Sequence, residues 1–273
     1  TTLVCLLGFT LPATAQYDEI EYTQFELDNG LDVILHEDHS TPIVAVTVTY
    51  HVGSKNEQEN RRGFAHFFEH LMFEETKNIE KGKFGQIVQN AGGRRNASTS
   101  FDRTQYFEVL PSNQLKLGLW LESERMLHAR IDSQGVETQR EVIKQEKNQR
   151  LDNQPYGTVV QEVFRNPYDQ HPYEYTPIGT DQDINSAKVE EFRDFYKTYY
   201  VPNNAVLSIA GDLDTTRAKQ LVKQYFGGIP RGEKDIPRVQ VEEPEQMQET
   251  RDTVYDNIQL PAVIHSYHTP AMG

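Results

Sequence analysis

The chain alternates between short stretches with a period-two apolar pattern, which predict strands, and stretches with helical apolar spacing. Residues 22–27 and 31–36 flank Asn29-Gly30, a dipeptide that favours the tight turn of a β-hairpin. Ser112 is expected to cap a long helix that runs to about His128. The remaining pattern predicts strands at 43–52, 104–110 and 205–210, and helices at 63–73, 84–91, 136–152, 186–200 and 215–226.

Strands and helices are intermixed in this order, and at least one hairpin is present. A doubly wound parallel sheet needs a regular strand–helix–strand alternation, which the pattern lacks. The sequence therefore predicts an α+β fold.

Two segments near the ends depart from this pattern. Residues 1–15 are uncharged and join a short apolar run to Ala13-Thr14-Ala15, which is typical of part of a secretory signal peptide. The alternative is a buried N-terminal strand or helix. Residues 17–230 are expected to form one domain and 231–251 a polar linker that contains proline. Residues 252–273 are expected to begin a second, truncated domain.

Composition narrows the possible functions. The chain has 27 Lys and Arg against 41 Asp and Glu, a net charge of −14, which disfavours binding to a nucleic-acid backbone. Its single cysteine, Cys5, lies in the first apolar run. Disulfides, thiolate metal sites and a cysteine nucleophile are therefore excluded from the rest of the chain. Any bound metal must be held by His, Asp or Glu.

The predicted helix at 63–73 contains His66, Glu69 and His70 in an H-x-x-E-H pattern. Residues four apart lie one turn apart on the same helix face, so both imidazoles can reach one ion. Glu69 projects beside the same point, where a carboxylate can accept a proton from water. The pattern predicts a zinc helix with two ligands and a base. The alternative is a pair of buried core histidines with other polar partners.

A zinc site needs a further ligand, and the acidic helix at 136–152 is the best source. Glu137, Glu141 and Glu146 all fit from the residues alone. Each could equally be a solvated acid paired with a neighbouring Arg or Lys. The choice among them stays open at this point.

The chain resembles the pitrilysin/insulinase family of zinc metallopeptidases, especially its secreted bacterial members, over roughly residues 25–228. The zinc helix carries part of the resemblance, and several separate segments carry the rest. These segments are VGSKNE at 52–57, AGG at 91–93, NAST at 96–99, FDRTQY at 101–106, YVPNNA at 200–205 and AGD at 210–212.

The resemblance implies a zinc metalloendopeptidase that cleaves extended peptides or small proteins. It implies one Zn²⁺ per catalytic domain, bound by His66, His70 and Glu146, the last of which lies 76 residues after His70. Glu69 is the implied general base. Asn96 and Ala97 are implied to lie on an edge strand that pairs with the substrate peptide.

The resemblance also implies a mixed, largely antiparallel sheet packed against helices, as in the mitochondrial processing peptidase fold. Many family members carry a second acid seven residues before the ligand Glu, where this chain has Gln139. Glu141 is a possible substitute near the site. Arg94-Arg95 is interpreted as a solvated loop pair that lies near the peptide strand and could meet an acidic substrate.

The family works as two related halves that close around the peptide, so the resemblance implies a second half from a partner subunit or from further chain. It also implies an exported protein, periplasmic or secreted, with no stable membrane span. The alternative function is a non-catalytic scaffold subunit of a two-half peptidase. A lyase with a similar zinc helix and a Cys ligand is disfavoured by the absence of Cys after Cys5.

Overall fold

The strands of the described residues form one mixed sheet of six, in a computed structural model that describes residues 20–269. The strands are β1 (Thr23–Glu26), β2 (Asp32–Glu37), β3 (Ile43–Tyr50), β4 (Arg94–Thr99), β5 (Thr104–Pro111) and β6 (Ala205–Gly211). Their order is β1-β2-β6-β3-β5-β4, in which β2 and β6 are parallel while every other neighbouring pair is antiparallel. The α+β class and the largely antiparallel sheet are confirmed.

Helices connect these strands and cover the sheet. They are α1 (Phe64–Leu71), α2 (Lys83–Asn90), α3 (Leu115–His128), α4 (Ser133–Lys147), α5 (Val159–Arg165), α6 (Asp181–Ser186), α7 (Val189–Tyr199) and α8 (Thr215–Phe226). Along β3 and β5 the residues alternate between buried and more exposed positions, as expected for strands that bury one face. Helix α3 contacts β3 and β5, α8 contacts β2, and α1 lies against β4 and β5 near one edge.

The predicted cap at Ser112 is wrong. Helix α3 begins at Leu115, after a 3-10 turn at Ser112–Gln114, and no side chain caps its first turn. The backbone N–H of Ser112 donates to the carbonyl of Pro42 at 3.1 Å, which continues the pairing of β5 with β3. The chain is therefore still tied to the sheet where the helix was expected to start.

Two other helices differ from their predicted bounds. The helix expected at 136–152 begins earlier, because the Asp132 carboxylate accepts the N–H of Gly135 at 2.8 Å, and it ends in a π-helical turn at Asn148–Asp152. The helix expected at 186–200 is two helices, α6 and α7. The Glu191 carboxylate accepts the N–H of Lys188 at 2.8 Å, which starts a new helix at that point.

The ends of the chain carry little regular structure. The predicted signal segment, 1–15, lies outside the described residues. Between 227 and 269 the chain forms no helix or strand, and the boundaries at 230 and 251 stay a prediction. No helix in the described range 20–269 is long and apolar enough to cross a bilayer.

Candidate metal centre

Helix α1 is fixed at its first turn by a buried carboxylate. Gly63, which precedes the helix, has φ 98°, a conformation that favours glycine. The Glu57 side chain accepts the N–H groups of Gly63 and Ala65 at 2.8 and 2.9 Å. Burial raises the pKa of Glu57 to about 8, although these two hydrogen bonds act in the opposite direction. A helix of only eight residues thus has a defined start and direction.

Aromatic packing holds α1 against α7. The rings of Phe64 and Phe67 lie 4.4 and 4.5 Å from the ring of Phe192, which is fully buried. Phe68 packs on Phe195 with ring centroids 5.3 Å apart. These contacts use the apolar side of α1, so His66, Glu69 and His70 are left on the side that faces α4 and β4.

His66 and His70 meet Glu146 at the end of α4. Nε2 of His70 lies 3.2 Å and Nε2 of His66 3.7 Å from the same oxygen, Oε2 of Glu146. Among the described residues this is the one group of three or more metal-binding side chains, with ligand atoms within 4.8 Å of one another. Ligand atoms on one tetrahedral zinc are about 3.3–3.6 Å apart, because each bond is about 2.0–2.2 Å long.

The electrostatics of these residues suit a cation. Burial, and then the neighbouring His70, lower the pKa of His66 to about 4, so its imidazole is neutral at pH 7 and keeps a free lone pair. The hydrogen bond with His70 lowers the pKa of Glu146. Arg150 holds the second oxygen of Glu146 at 2.8 Å. Two imidazoles and one carboxylate are a donor set that zinc accepts.

The structure separates the three candidate acids of α4. Glu137 binds Arg140 and Glu141 binds Lys144, and both carboxylates are about two-thirds exposed (67% and 65%). Only Glu146 faces the histidines. Glu141 therefore does not substitute near the site for the second acid, whose position Gln139 occupies.

Gln139 has a partner of its own beside the site. Its side-chain amide donates to Glu74 at 2.5 Å, and Glu74 also pairs with Lys81 at 3.0 Å. The Gln139 amide thus links α4 to the segment that follows α1.

Glu69 is held by the edge strand of the sheet. The hydroxyl of Thr99, the last residue of β4, donates to Oε2 of Glu69 at 2.6 Å. This hydrogen bond fixes the position of the Glu69 carboxylate, three residues after His66. Thr99 is the last residue of the NAST segment at 96–99, but no sequence signal identified Glu69 as its partner.

β4 is the terminal strand of the sheet and has β5 on one side only. Asn96 and Ala97 lie in this strand opposite Phe107 and Tyr106, within three residues of Thr99. The strand that carries them is therefore adjacent to helix α1. The prediction of a loop at Arg94-Arg95 is wrong, because both residues belong to β4.

A histidine pair from one helix, a carboxylate ligand from a second helix and a further carboxylate beside them form the arrangement of a metal-dependent hydrolase site. The sequence profile of the insulinase family, peptidase family M16, matches residues 32–181, which include all four side chains. The profile of the M16 inactive domain matches residues 186–272. The chain belongs to peptidase family M16.

Individual relatives agree with this assignment. The chain is 34% identical to the zinc protease PqqE of Helicobacter pylori over 274 residues, 99% of this chain and 61% of that protein. The crystal structure of a protease from Helicobacter pylori matches with a TM-score of 0.80 and 36% identity, over 83% of this chain and 55% of the other.

The periplasmic protease PqqL from Escherichia coli has a similar structure. It matches with a TM-score of 0.70 and 26% identity, over 82% of this chain and 26% of its own. The chain thus spans less than two-thirds of the length of the relatives it matches.

Proposed function

We propose that this chain carries the zinc site and the general base of a metalloendopeptidase that hydrolyses peptide bonds in extended peptides or small proteins. The observation that carries the proposal is the convergence of His66, His70 and Glu146, with Glu69 on the same helix. These residues come from two helices and converge only in the folded chain.

In this proposal His66, His70 and Glu146 bind one Zn²⁺ for the domain. When bound, zinc would act as a Lewis acid that lowers the pKa of water and polarises a peptide carbonyl. Burial keeps His66 neutral, and the Arg150 contact at 2.8 Å orients the Glu146 carboxylate. The ligands are therefore preorganised before metal binds.

Glu69 acts as the general base. It accepts a proton from the attacking water and returns it to the leaving amine. The Thr99 hydroxyl holds one carboxylate oxygen, so the other oxygen is free to accept the proton. Because Thr99 ends β4, this hydrogen bond links the base to the proposed peptide-binding edge.

A substrate peptide adds to the free edge of β4 as a further strand. Asn96 and Ala97 lie in this strand, which offers the main-chain groups of every second residue on its free side, and main-chain hydrogen bonds of this type bind peptides with little dependence on sequence. An added strand passes next to Thr99 and Glu69. This geometry suits extended peptides and disfavours cleavage inside folded elements.

The remaining parts of the proposal concern the whole protein. Its relatives extend well beyond the region matched here, which supports a second half, from a partner subunit or further chain, that closes over the peptide. PqqL is described as periplasmic, and residues 1–15 fit part of a signal peptide, so we propose export to the periplasm or beyond. Residues 17–230 are the proposed catalytic domain.

Three carboxylate variants of the full-length protein test the catalytic roles. Glu69→Gln is expected to keep stoichiometric zinc and to lower peptide hydrolysis about a hundred- to ten-thousandfold, because the base is lost. Glu146→Gln is expected to lose both zinc and activity. Glu141→Gln, on the exposed side of the same helix, is the matched control and should retain both.

The measurements are zinc content by atomic emission and cleavage of a fluorogenic peptide. Equal rates for Glu69→Gln and wild type at equal zinc content would contradict the role of Glu69. A wild-type protein that contains no stoichiometric zinc and cleaves no peptide would favour the scaffold alternative.

A further inference from the structure

An arginine on the peptide-binding edge has no acidic partner. Arg95 lies in β4 and is exposed as a residue, although its guanidinium is partly buried, and this burial lowers its pKa. Across residues 20–269 it forms no ion pair and no side-chain hydrogen bond, although most other arginines of the domain form one or the other. A cation without a partner at the edge of a proposed binding site is available to a ligand.

The Arg95 side chain is nevertheless held in place. Its guanidinium carbon lies 4.1 Å from the centre of the Phe73 ring, a cation–π contact. The guanidinium also lies close to Gly85 of α2. A Cβ added at Gly85 would lie 2.9 Å from Nη2 of Arg95. A glycine inside a helix costs about 1 kcal/mol relative to alanine. Here it leaves room for the guanidinium.

The carboxylate opposite Arg95 in the sheet is already engaged. Glu108 lies opposite Arg95 in the register of β4 and β5, but its side chain is fully buried. Its Oε1 accepts from Nη2 of Arg125 at 3.2 Å. Glu108 therefore pairs with Arg125, and among residues 20–269 no ion pair joins it to Arg95.

Strand periodicity relates Arg95 to the catalytic base. Arg95, Ala97 and Thr99 alternate with Arg94 and Asn96, so the first three point to the face that carries α1. A peptide strand paired with β4 places side chains on this same face at every second residue. The peptide residue beside Arg95 is then four positions from the residue beside Thr99, which holds Glu69.

We propose that Arg95 forms a subsite for an acidic side chain of the bound peptide. It gives the enzyme a preference for Asp or Glu about four residues from the cleaved bond. The inference rests on the proposed function, because it requires a peptide on the β4 edge. The net charge of −14 repels acidic peptides as a whole, so the preference must come from this local site.

A peptide series tests the subsite in the full-length, zinc-loaded protein. Each peptide carries a single Asp, or Asn as the uncharged control, at a different position around one cleavage site. In wild type, Asp is expected to raise kcat/KM about five- to tenfold over Asn at one position only. The same peptides are titrated into Glu69→Gln, and their Kd, measured by fluorescence anisotropy, should show the same preference without turnover.

Neighbouring arginines give matched variants. Arg95→Gln should abolish the preference, and Arg95→Glu should transfer it to Lys at the same position. Arg94→Gln changes the total charge equally, but its side chain lies on the opposite face, so the preference should persist. These variants separate a local subsite from general electrostatics.

Three outcomes would overturn the inference. They are an unchanged preference in Arg95→Gln, an equal loss in Arg94→Gln, and a wild-type enzyme that cleaves every peptide equally. In the last case the proposed function stands and only the subsite fails. If wild type cleaves nothing but binds Asp peptides through Arg95, the subsite stands and the proposed catalytic function fails.

Discussion

Three glutamates around helix α1 have different environments, and these environments define their different parts in the site. Glu57 is buried and binds backbone N–H groups, with a pKa raised to about 8. Glu146 faces two imidazoles and Arg150, and the hydrogen bond with His70 lowers its pKa. Glu69 contacts the hydroxyl of Thr99. One residue type thus supplies a helix anchor, a proposed ligand and a proposed base.

The Thr99 hydroxyl is expected to position the base. Thr99→Val keeps the shape and removes the donor, so kcat should fall about tenfold, with KM little changed and zinc content intact. Thr99→Ser restores the hydroxyl and should recover most of the rate. A loss of zinc in Thr99→Val, or no recovery in Thr99→Ser, would argue that the residue only supports the fold.

At the scale of elements, the site depends on the contact between two helices. Helix α1 is short and is held by Phe192 of α7 and by Glu57 at its start. Helix α4 is capped by Asp132 and brings Glu146 into its last turn. The distance between the histidines and Glu146 is therefore determined by how these helices pack.

Phe192→Ala is expected to loosen α1 and weaken zinc binding. Removal of a buried phenylalanine costs about 3–5 kcal/mol of unfolding free energy. Phe226→Ala, at an equally buried site in α8, is the control. Both variants should lose comparable stability in urea unfolding, but only Phe192→Ala should lose zinc affinity in a chelator competition. Equal zinc affinity in both would show that the α1–α7 contact does not position the ligands.

At the scale of the whole molecule, zinc would join distant parts of the chain. His66 and His70 precede β4 and β5 in sequence, and Glu146 follows them. An ion bound by both groups links α1 to α4 across the edge of the sheet. Such an ion binds the folded chain and not the unfolded one, so it should stabilise the fold.

Zinc removal is therefore expected to lower the Tm of wild type. The stabilisation is about 4 kcal/mol when free zinc exceeds its Kd a thousandfold. Scanning calorimetry with and without chelator measures it. Glu141→Gln should respond like wild type, whereas Glu146→Gln should show no chelator effect. A wild-type Tm that does not change with chelator would contradict a zinc link between α1 and α4.

The sequence anticipated elements whose signals are local. The hairpin at Asn29-Gly30, strand β3 and helix α8 follow from turn chemistry, β-branched residues and apolar spacing. The helix boundaries at Ser112 and Lys188 were missed, because a bond to Pro42 and the capping by Glu191 determine them. Strand β4 has a polar sequence with no apolar alternation, so only the family resemblance indicated it.

For the site, the sequence alone determined that His66 and His70 share one face of a helix, because helical pitch is a local property. It also determined that a metal here has no thiolate ligand. The residues alone left Glu137, Glu141 and Glu146 open, and only the family resemblance favoured Glu146. The tertiary structure brings Glu146 to the histidines, because α4 packs on α1 with the other two acids exposed. Only the fold could bring Thr99 to Glu69 and place Arg95 over Phe73, because these contacts link residues 30 and 22 positions apart.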